Sequence, residues 1–211
     1  MIRFHGIKPI ILSSIDTELL WSLPIAIASV LLAWATVRRT PEYAKGRKLN
    51  VIAISVMAVL SLGMYLIFGL SVNLLKGILL TDAFLYASVS DFRIRKVPDW
   101  VSIVVAALGL VSVPGGKLLW NAVVGAAAFG FFFLAAVISK NKIGGADVKF
   151  IAAAMFVCGF SEGLAGLILG LLLSVIGTLI RNRKTKSKDK TMPMIPYLAV
   201  GFLTAFMIGG I

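Results

Sequence analysis

The sequence has few of the residues that many hydrolytic and metal sites require. Among 211 residues it contains one cysteine, Cys158, and one histidine, His5. A single cysteine can form neither an intrachain disulfide nor a cysteine-rich zinc site. A single histidine does not support a histidine-based metal site or a catalytic triad. We therefore expect neither a metal nor a cofactor.

Acidic residues are also scarce. Nine Asp and Glu stand against 21 Lys and Arg, which gives a formal net charge of +12. Such a charge is typical of nucleic-acid-binding domains, but the chain has no soluble basic domain to carry it, so we expect no nucleic-acid partner. The chain is 59% hydrophobic with a mean hydropathy of +0.99, whereas soluble domains are about 45–50% apolar. These values predict an all-α polytopic membrane protein.

Eight apolar segments recur along the chain. Each must be helical, because lipid offers no hydrogen-bond partner to the backbone. The first ends at Arg38 and Arg39 without the small-residue cleavage site of a signal peptide, which indicates a genuine span. The fourth and sixth are short for a bilayer core of about 30 Å. The segments are 19–37, 51–71, 74–90, 100–114, 118–139, 147–161, 163–180 and 193–211.

The basic residues test this map. Alternate connections contain 17 of the 21 Lys and Arg, and only Arg3, Lys8, Lys76 and Lys117 remain for the other side. The positive-inside rule places the basic connections in the cytoplasm and both termini outside, across a plasma membrane. The segment RNRKTKSKDKTM, residues 181–192, is expected to attract anionic lipid headgroups as well.

Two aspartates fall at the cytoplasmic ends of predicted helices. Asp91 lies in YASVSDFRIRKVPDW, where the third segment ends, and Asp147 lies in KIGGADVKF, where the sixth begins. Both are therefore expected at one membrane depth, although 56 residues separate them. If the two helices pack together, the carboxyl groups can face each other.

Such a pair suits peptide hydrolysis. Two adjacent carboxyl groups hold one proton between them, because like charges cannot both ionise at low cost. The ionised group takes a proton from water, and the protonated group donates to the amide carbonyl. Taken singly, each aspartate has a structural alternative. Asp91 could pair with Arg93 or Arg95, and Asp147 could cap a helix and pair with Lys149.

Other residues near the pair have expected structural roles. Gly144 and Gly145 allow positive φ and close backbone approach, so that an extended substrate could lie beside Asp147. Pro98 is expected to fix the turn that leads into the fourth segment.

Two further aspartates belong to the same region. Asp82 lies nine residues before Asp91, on the opposite face of the third helix. We expect it to be structural and to contact Lys76 or a polar residue elsewhere. Asp99 is expected to be a turn or cap residue.

Three motifs together resemble the type IV prepilin peptidases and archaeal preflagellin peptidases, membrane aspartyl proteases of the glycine-x-glycine-aspartate class. DFRIRKVPD is similar to the family's first motif, GGADVK to its second, and MIPYLAVG, residues 194–201, to the segment that opens its last span. Ala146 stands where the name of the class has a glycine. The large bacterial enzymes of the family carry a four-cysteine insert and methylate the new N-terminus. This chain has no such insert, so we expect no methyltransferase activity.

The resemblance implies a six-helix catalytic core over residues 74–211 and an N-terminal extension over 1–73 with two helices. It implies that Asp91 and Asp147 are catalytic and that Gly144, Ala146 and Lys149 form the motif around the second. It also implies substrates with a short basic leader that ends in glycine, followed by an apolar segment. These are prepilins, pseudopilins or archaellins, cleaved on the cytoplasmic side.

A different class of function is compatible with the same residues. A transporter or pilus-assembly factor could use the aspartates to bind ions or partners. Transporters place ionisable residues near the bilayer midplane in interrupted helices, whereas this pair is expected at one interface. The sequence therefore favours a peptidase.

Overall fold

The computed structural model describes residues 15–40, 46–111, 115–139, 144–184 and 193–209. These residues form helices and no strands, and four of the helices are long and apolar enough to cross a membrane. The prediction of an all-α polytopic membrane protein is confirmed. Both termini, residues 140–143 and most of the polybasic segment (185–192) lie outside the described residues. The helices are α1 (Ile15–Arg38), α2 (Arg47–Phe68), α3 (Val72–Ile94), α4 (Asp99–Leu108), α5 (Gly115–Ile138), α6 (Gly145–Lys184) and α7 (Ile195–Gly209).

Helix α6 contains the boundary between the predicted sixth and seventh segments. At Gly159 the backbone leaves the helix with φ 76° and ψ −169°, a region that L side chains avoid. Beyond it the chain packs back on itself, since a Cβ on Gly163 would lie 3.4 Å from the Met155 Cα. Residues eight positions apart in a straight helix are separated by about 12 Å. Helix α6 is therefore two antiparallel segments, and the described residues form eight helical segments in all.

Helix α4 is shorter than the predicted segment 100–114. It has 10 residues, about 15 Å at 1.5 Å per residue, against a bilayer core of about 30 Å. Pro98 precedes its first residue, and the chain leaves the helix at Gly109. Residues 112–114 lie outside the described residues.

The basic connections that the structure describes meet at one end of the bundle. Arg93, in the last turn of α3, donates hydrogen bonds to Thr40 after α1 and to Asn50 near the start of α2. The starts of α6 and α7 lie at the same end of the bundle. Asp147 is in the first turn of α6, and Asp91 at the end of α3 accepts a hydrogen bond from the first residue of α7. Within the described residues, the connections that follow α1 and α3 thus lie at the same end of the bundle.

Close glycine contacts hold α7 against the second segment of α6. A Cβ on Gly201 would lie 2.2 Å from the Gly166 carbonyl oxygen and 2.5 Å from the Gly170 nitrogen. Gly166 and Gly170 are four residues apart, the small-residue spacing that lets membrane helices approach closely. Gly177 makes a similar approach to the Tyr197 ring. This packing fixes where α7 begins, and α7 begins at the site described next.

We expect Gly201→Ala to destabilise the protein by about 1–3 kcal/mol, because the new methyl group meets backbone atoms that cannot rotate away. Thermal unfolding in detergent measures the change. Gly130→Ala is the matched control, since a Cβ there meets no atom within 4 Å. Equal unfolding temperatures for both variants would show that the α6–α7 contact does not require glycine.

Candidate active site

Asp91 lies in the last turn of α3 and is 8% exposed. Its Oδ2 accepts a hydrogen bond of 3.2 Å from the backbone N–H of Ile195, the first residue of α7. The backbone of Met194 also hydrogen-bonds to this carboxyl group. The first N–H groups of a helix have no partner inside it and carry the positive end of its dipole. Asp91 therefore caps α7, which gives the MIPY segment its place in the site.

Asp147 lies in the first turn of α6 and is half-buried. Its carboxyl group accepts from the backbone N–H of Gly144, the residue before the helix. Its own N–H donates to the Gly144 carbonyl at 3.0 Å. A third-position side chain that reaches back to the residue before the helix is one half of a capping box. The helix start thus fixes the direction of the Asp147 side chain.

Helices α3 and the first segment of α6 bring the two acids together. The Phe84 and Phe150 rings contact each other between these helices, with centroids 4.8 Å apart and planes tilted by 48°. Phe84 lies seven residues before Asp91, on the same face of α3, and Phe150 lies three residues after Asp147. The carboxyl group of Asp147 lies within electrostatic range of that of Asp91. The two predicted catalytic residues therefore share one site.

A second contact joins the two motifs. Lys149 Nζ lies 2.7 Å from Asp99 Oδ1 in an ion pair whose side chains are 45% and 68% exposed. The alternative in which Lys149 pairs with Asp147 is wrong. Asp99 opens α4, as expected for a residue at a turn, but the sequence reasoning missed its partner. The sequence held one indication of this pairing, because Asp99 in the first motif is acidic, Lys149 in the second is basic, and both motifs were expected at the same end of the bundle.

The connection between Asp91 and α4 is held locally. Arg95 adopts a left-handed conformation, φ 53° and ψ 33°, and its N–H donates to the Asp91 carbonyl. Ser90 Oγ donates to the Lys96 carbonyl at 2.6 Å. Pro98, with φ −63°, immediately precedes α4. The chain therefore reverses within four residues and returns α4 to the side of Asp91.

Part of the expectation for the glycines is wrong. Neither Gly144 nor Gly145 has a positive φ; the described glycines that do are Gly69 and Gly159. Close approach is needed at Gly144 only, where a Cβ would lie 3.0 Å from the Asp147 Oδ2. A Cβ on Gly145 would meet nothing within 4 Å. Both glycines are exposed beside Asp147, and Ala146 between them and the acid is half-buried.

The two arginines near Asp91 have separate contacts. Arg93 donates hydrogen bonds to Thr40 and Asn50. Arg95 does lie within electrostatic range of the Asp91 carboxyl group. An arginine beside Asp91 and a second acid facing it are therefore both present.

Asp82 faces away from the site. Its Oδ2 accepts a hydrogen bond of 2.8 Å from Thr36 Oγ1 of α1, which is the polar partner elsewhere that the sequence predicted, rather than Lys76. Lys76 is 1% exposed inside the bundle and lies within electrostatic range of Cys158. Lys76 lies near the start of α3, at the opposite end of that helix from Asp91. Among the described residues, no three His, Cys, Asp or Glu side chains cluster in a way that could hold a metal ion.

Comparison with known proteins gives two matches. Residues 78–180 match the model of the type IV leader peptidase family. Over 149 residues the chain is 28% identical to the prepilin leader peptidase/N-methyltransferase of Bacillus subtilis (strain 168). That alignment covers 67% of this chain and 59% of the relative, so the chain spans well under two thirds of the relative's length. No solved structure matches the chain.

We expect Gly144→Ala to lower catalytic turnover about tenfold with little change in stability, because displacing a reacting group by a fraction of an ångström reduces the rate strongly. The added methyl group would press on the Asp147 carboxyl group. Gly130→Ala is the matched control, since its methyl group on α5 points into open space. Steady-state cleavage of a leader-bearing reporter measures both. An equal or larger loss for Gly130→Ala would contradict this account of the motif.

Proposed function

We propose that the chain, whose residues 78–180 match the model of the type IV leader peptidase family, is a membrane aspartyl endopeptidase. Its substrates are type IV prepilins, pseudopilins or archaellins, from which it removes a short basic leader. The observation that carries the proposal is the meeting of Asp91 and Asp147, two buried or half-buried carboxyl groups within electrostatic range of each other.

The proposed mechanism uses these two groups alone. The pair holds one proton, since two adjacent carboxylates cannot both ionise at low cost. The ionised member takes a proton from a water molecule, whose oxygen attacks the carbonyl carbon of the scissile peptide. The protonated member donates to the carbonyl oxygen, and a proton then passes to the departing amine. Backbone hydrogen bonds from Ile195 and Met194 to Asp91, and from Gly144 to Asp147, would hold the two carboxyl groups toward a shared water.

The proposed place of cleavage is the cytoplasmic face of the plasma membrane. The support is the partition of charge, because 17 of the 21 Lys and Arg lie in connections assigned to one side and cytoplasmic loops are enriched in these residues. The same basic connections would attract anionic lipid headgroups. Both termini would then lie outside.

Near the acids, the exposed backbone offers a place for an extended substrate. Gly144 and Gly145 are exposed immediately before Asp147, and they add no side chain that would keep a peptide away. Proteases commonly hold their peptide extended by backbone pairing. We propose that the residues around the scissile glycine lie against this stretch.

We also propose that residues 74–211 form the catalytic core and that residues 1–73 brace it. The extension contacts the core through Thr36 of α1, which binds Asp82, and through Thr40 and Asn50, which bind Arg93. Arg93 lies two residues after Asp91. The extension therefore holds both the middle and the catalytic end of α3.

We expect Asp91→Asn and Asp147→Asn each to lower leader cleavage at least about 100-fold, because an amide can neither take up nor donate the proton that general acid–base catalysis requires. Co-expression with candidate prepilins, followed by separation of precursor and mature forms, measures the loss. Glu162→Gln is the control, an acid of the same helix α6 at the opposite end of the bundle. Leader removal that persists in either aspartate variant would exclude an aspartyl mechanism.

We expect Thr36→Val to destabilise the protein by about 1–3 kcal/mol, because it removes the hydrogen bond to a carboxyl group that stays half-buried. Unfolding in detergent measures the change. Thr204→Val is the control, since Thr204 bonds only within its own helix, to the Val200 carbonyl. If the two valine variants lose the same stability, the Thr36 contact does not brace the core.

A further inference from the structure

A groove between α4, α5 and α6 opens at the end of the bundle that holds the acid pair. It has a volume of about 520 Å³. Its entrance holds the ion pair of Asp99 and Lys149. Neither Asp91 nor Asp147 lines the groove, since Asp147 precedes Lys149 by two residues, about 200° around α6. A peptide in the groove would therefore reach the acids around the start of α6, where Gly144 and Gly145 are exposed.

Small side chains form the walls of this groove. Ser102 and Ala106 line it four residues apart on α4, and Ala122 and Ala126 line it four residues apart on α5. This is the spacing that allows close approach of another helix in a membrane. Ser102 and Ala106 are half-exposed, and Ala122 and Ala126 are exposed, so no described part of the chain covers them.

The two ends of the groove differ in polarity. Along α6 it extends from Lys149 to Phe156, seven residues or about 10 Å, which accommodates about two turns of helix. Its charged residues, Asp99 and Lys149, lie at the catalytic end, and the lining from Ile103 to Phe129 and Phe156 is otherwise apolar apart from Ser102. A ligand that fits it is polar at the end near Asp147 and apolar beyond.

We propose that this groove binds the first two turns of the apolar helix that follows the scissile glycine of the substrate. The inference rests on the proposed function, which supplies a substrate whose polar leader changes to an apolar helix at the cleaved bond. Seating that helix in the groove places the change in polarity at the Asp99–Lys149 pair, next to Asp147. It also fixes how far the scissile bond lies from the acids.

A second groove, between α2, α3 and α7, fits such a helix less well. Its volume is about 240 Å³, and large side chains such as Ile52, Phe84 and Phe92 line it. No charged residue lies at its entrance. These properties suit a flexible acyl chain rather than a helix that must approach closely.

The test compares two leucine substitutions on α5. Ala126→Leu fills the groove, whereas Ala127→Leu adds the same volume at an exposed neighbouring position that does not line it. The probes are a panel of membrane-inserted reporters with a basic leader, a glycine and an apolar helix, and a short peptide with the leader and cleavage site alone. We expect Ala126→Leu to lower kcat/KM for the reporters about tenfold or more, as overpacking does. Its cleavage of the short peptide and the activity of Ala127→Leu should stay near wild type.

Crosslinking provides a readout that does not depend on turnover. In the Asp147→Asn background, Ala126→Cys should form a disulfide with a cysteine in the first two turns of the reporter helix. Ala127→Cys should not, and neither should a reporter with its cysteine at the far end of the helix. Native Cys158 is 2% exposed and serves as the background control.

Each outcome decides between the two proposals. If the wild-type protein cleaves the reporters but Ala126→Leu and Ala127→Leu do not differ, the groove assignment is overturned and the proposed peptidase activity stands. Equal crosslinking at positions 126 and 127 has the same consequence. Crosslinking of an acyl-chain probe but not of any reporter at position 126 identifies the groove as a lipid site and also overturns it. A wild-type protein that cleaves no reporter and no peptide overturns the proposed function, and the groove assignment falls with it.

Discussion

At one end of this bundle, two aspartates accept hydrogen bonds from the backbone N–H groups at the starts of two helices. The first backbone N–H groups of α6 and α7 have no partners within their own helices, and burial without a partner is costly in a membrane protein. Asp147 accepts from the residue before α6, and Asp91 accepts from the first residue of α7. The bonds that stabilise these helix starts are the bonds that orient the two carboxyl groups. Removing either acid therefore removes both a cap and a group that the proposed mechanism requires.

The rest of the bundle maintains this arrangement. Glycines on α6 allow α7 to approach its backbone closely, which sets the height at which Ile195 meets Asp91. The break at Gly159 lets α6 turn back, so that a helix that begins beside α3 also supplies the surface on which α7 packs. The tilted rings of Phe84 and Phe150 contact each other between α3 and α6, deeper in the bundle than the acids. The positions of the two carboxyl groups thus depend on backbone approach at glycines far from the site.

The two motifs contact each other at two points. Asp91 of the first motif lies within electrostatic range of Asp147 of the second, and Asp99 of the first forms an ion pair with Lys149 of the second. The inner pair supports the proposed chemistry, and the outer ion pair stands at the entrance of the groove between α4, α5 and α6. Chemistry and the proposed recognition of the substrate helix would then share the first turn of α6.

The sequence by itself determined the class of protein, the eight helical segments and the grouping of the basic connections, because apolar length and charge distribution act locally along the chain. It also singled out Asp91 and Asp147, since both end up at helix ends on one side. It did not determine that α6 reverses at Gly159 rather than at the predicted boundary near residue 162, the pairing of Lys149 with Asp99 rather than Asp147, or the binding of Asp82 to Thr36. Only the tertiary structure decided these, because a short polar side chain takes whichever partner helix packing brings within about 3 Å, and spacing along the chain does not specify which helices become neighbours.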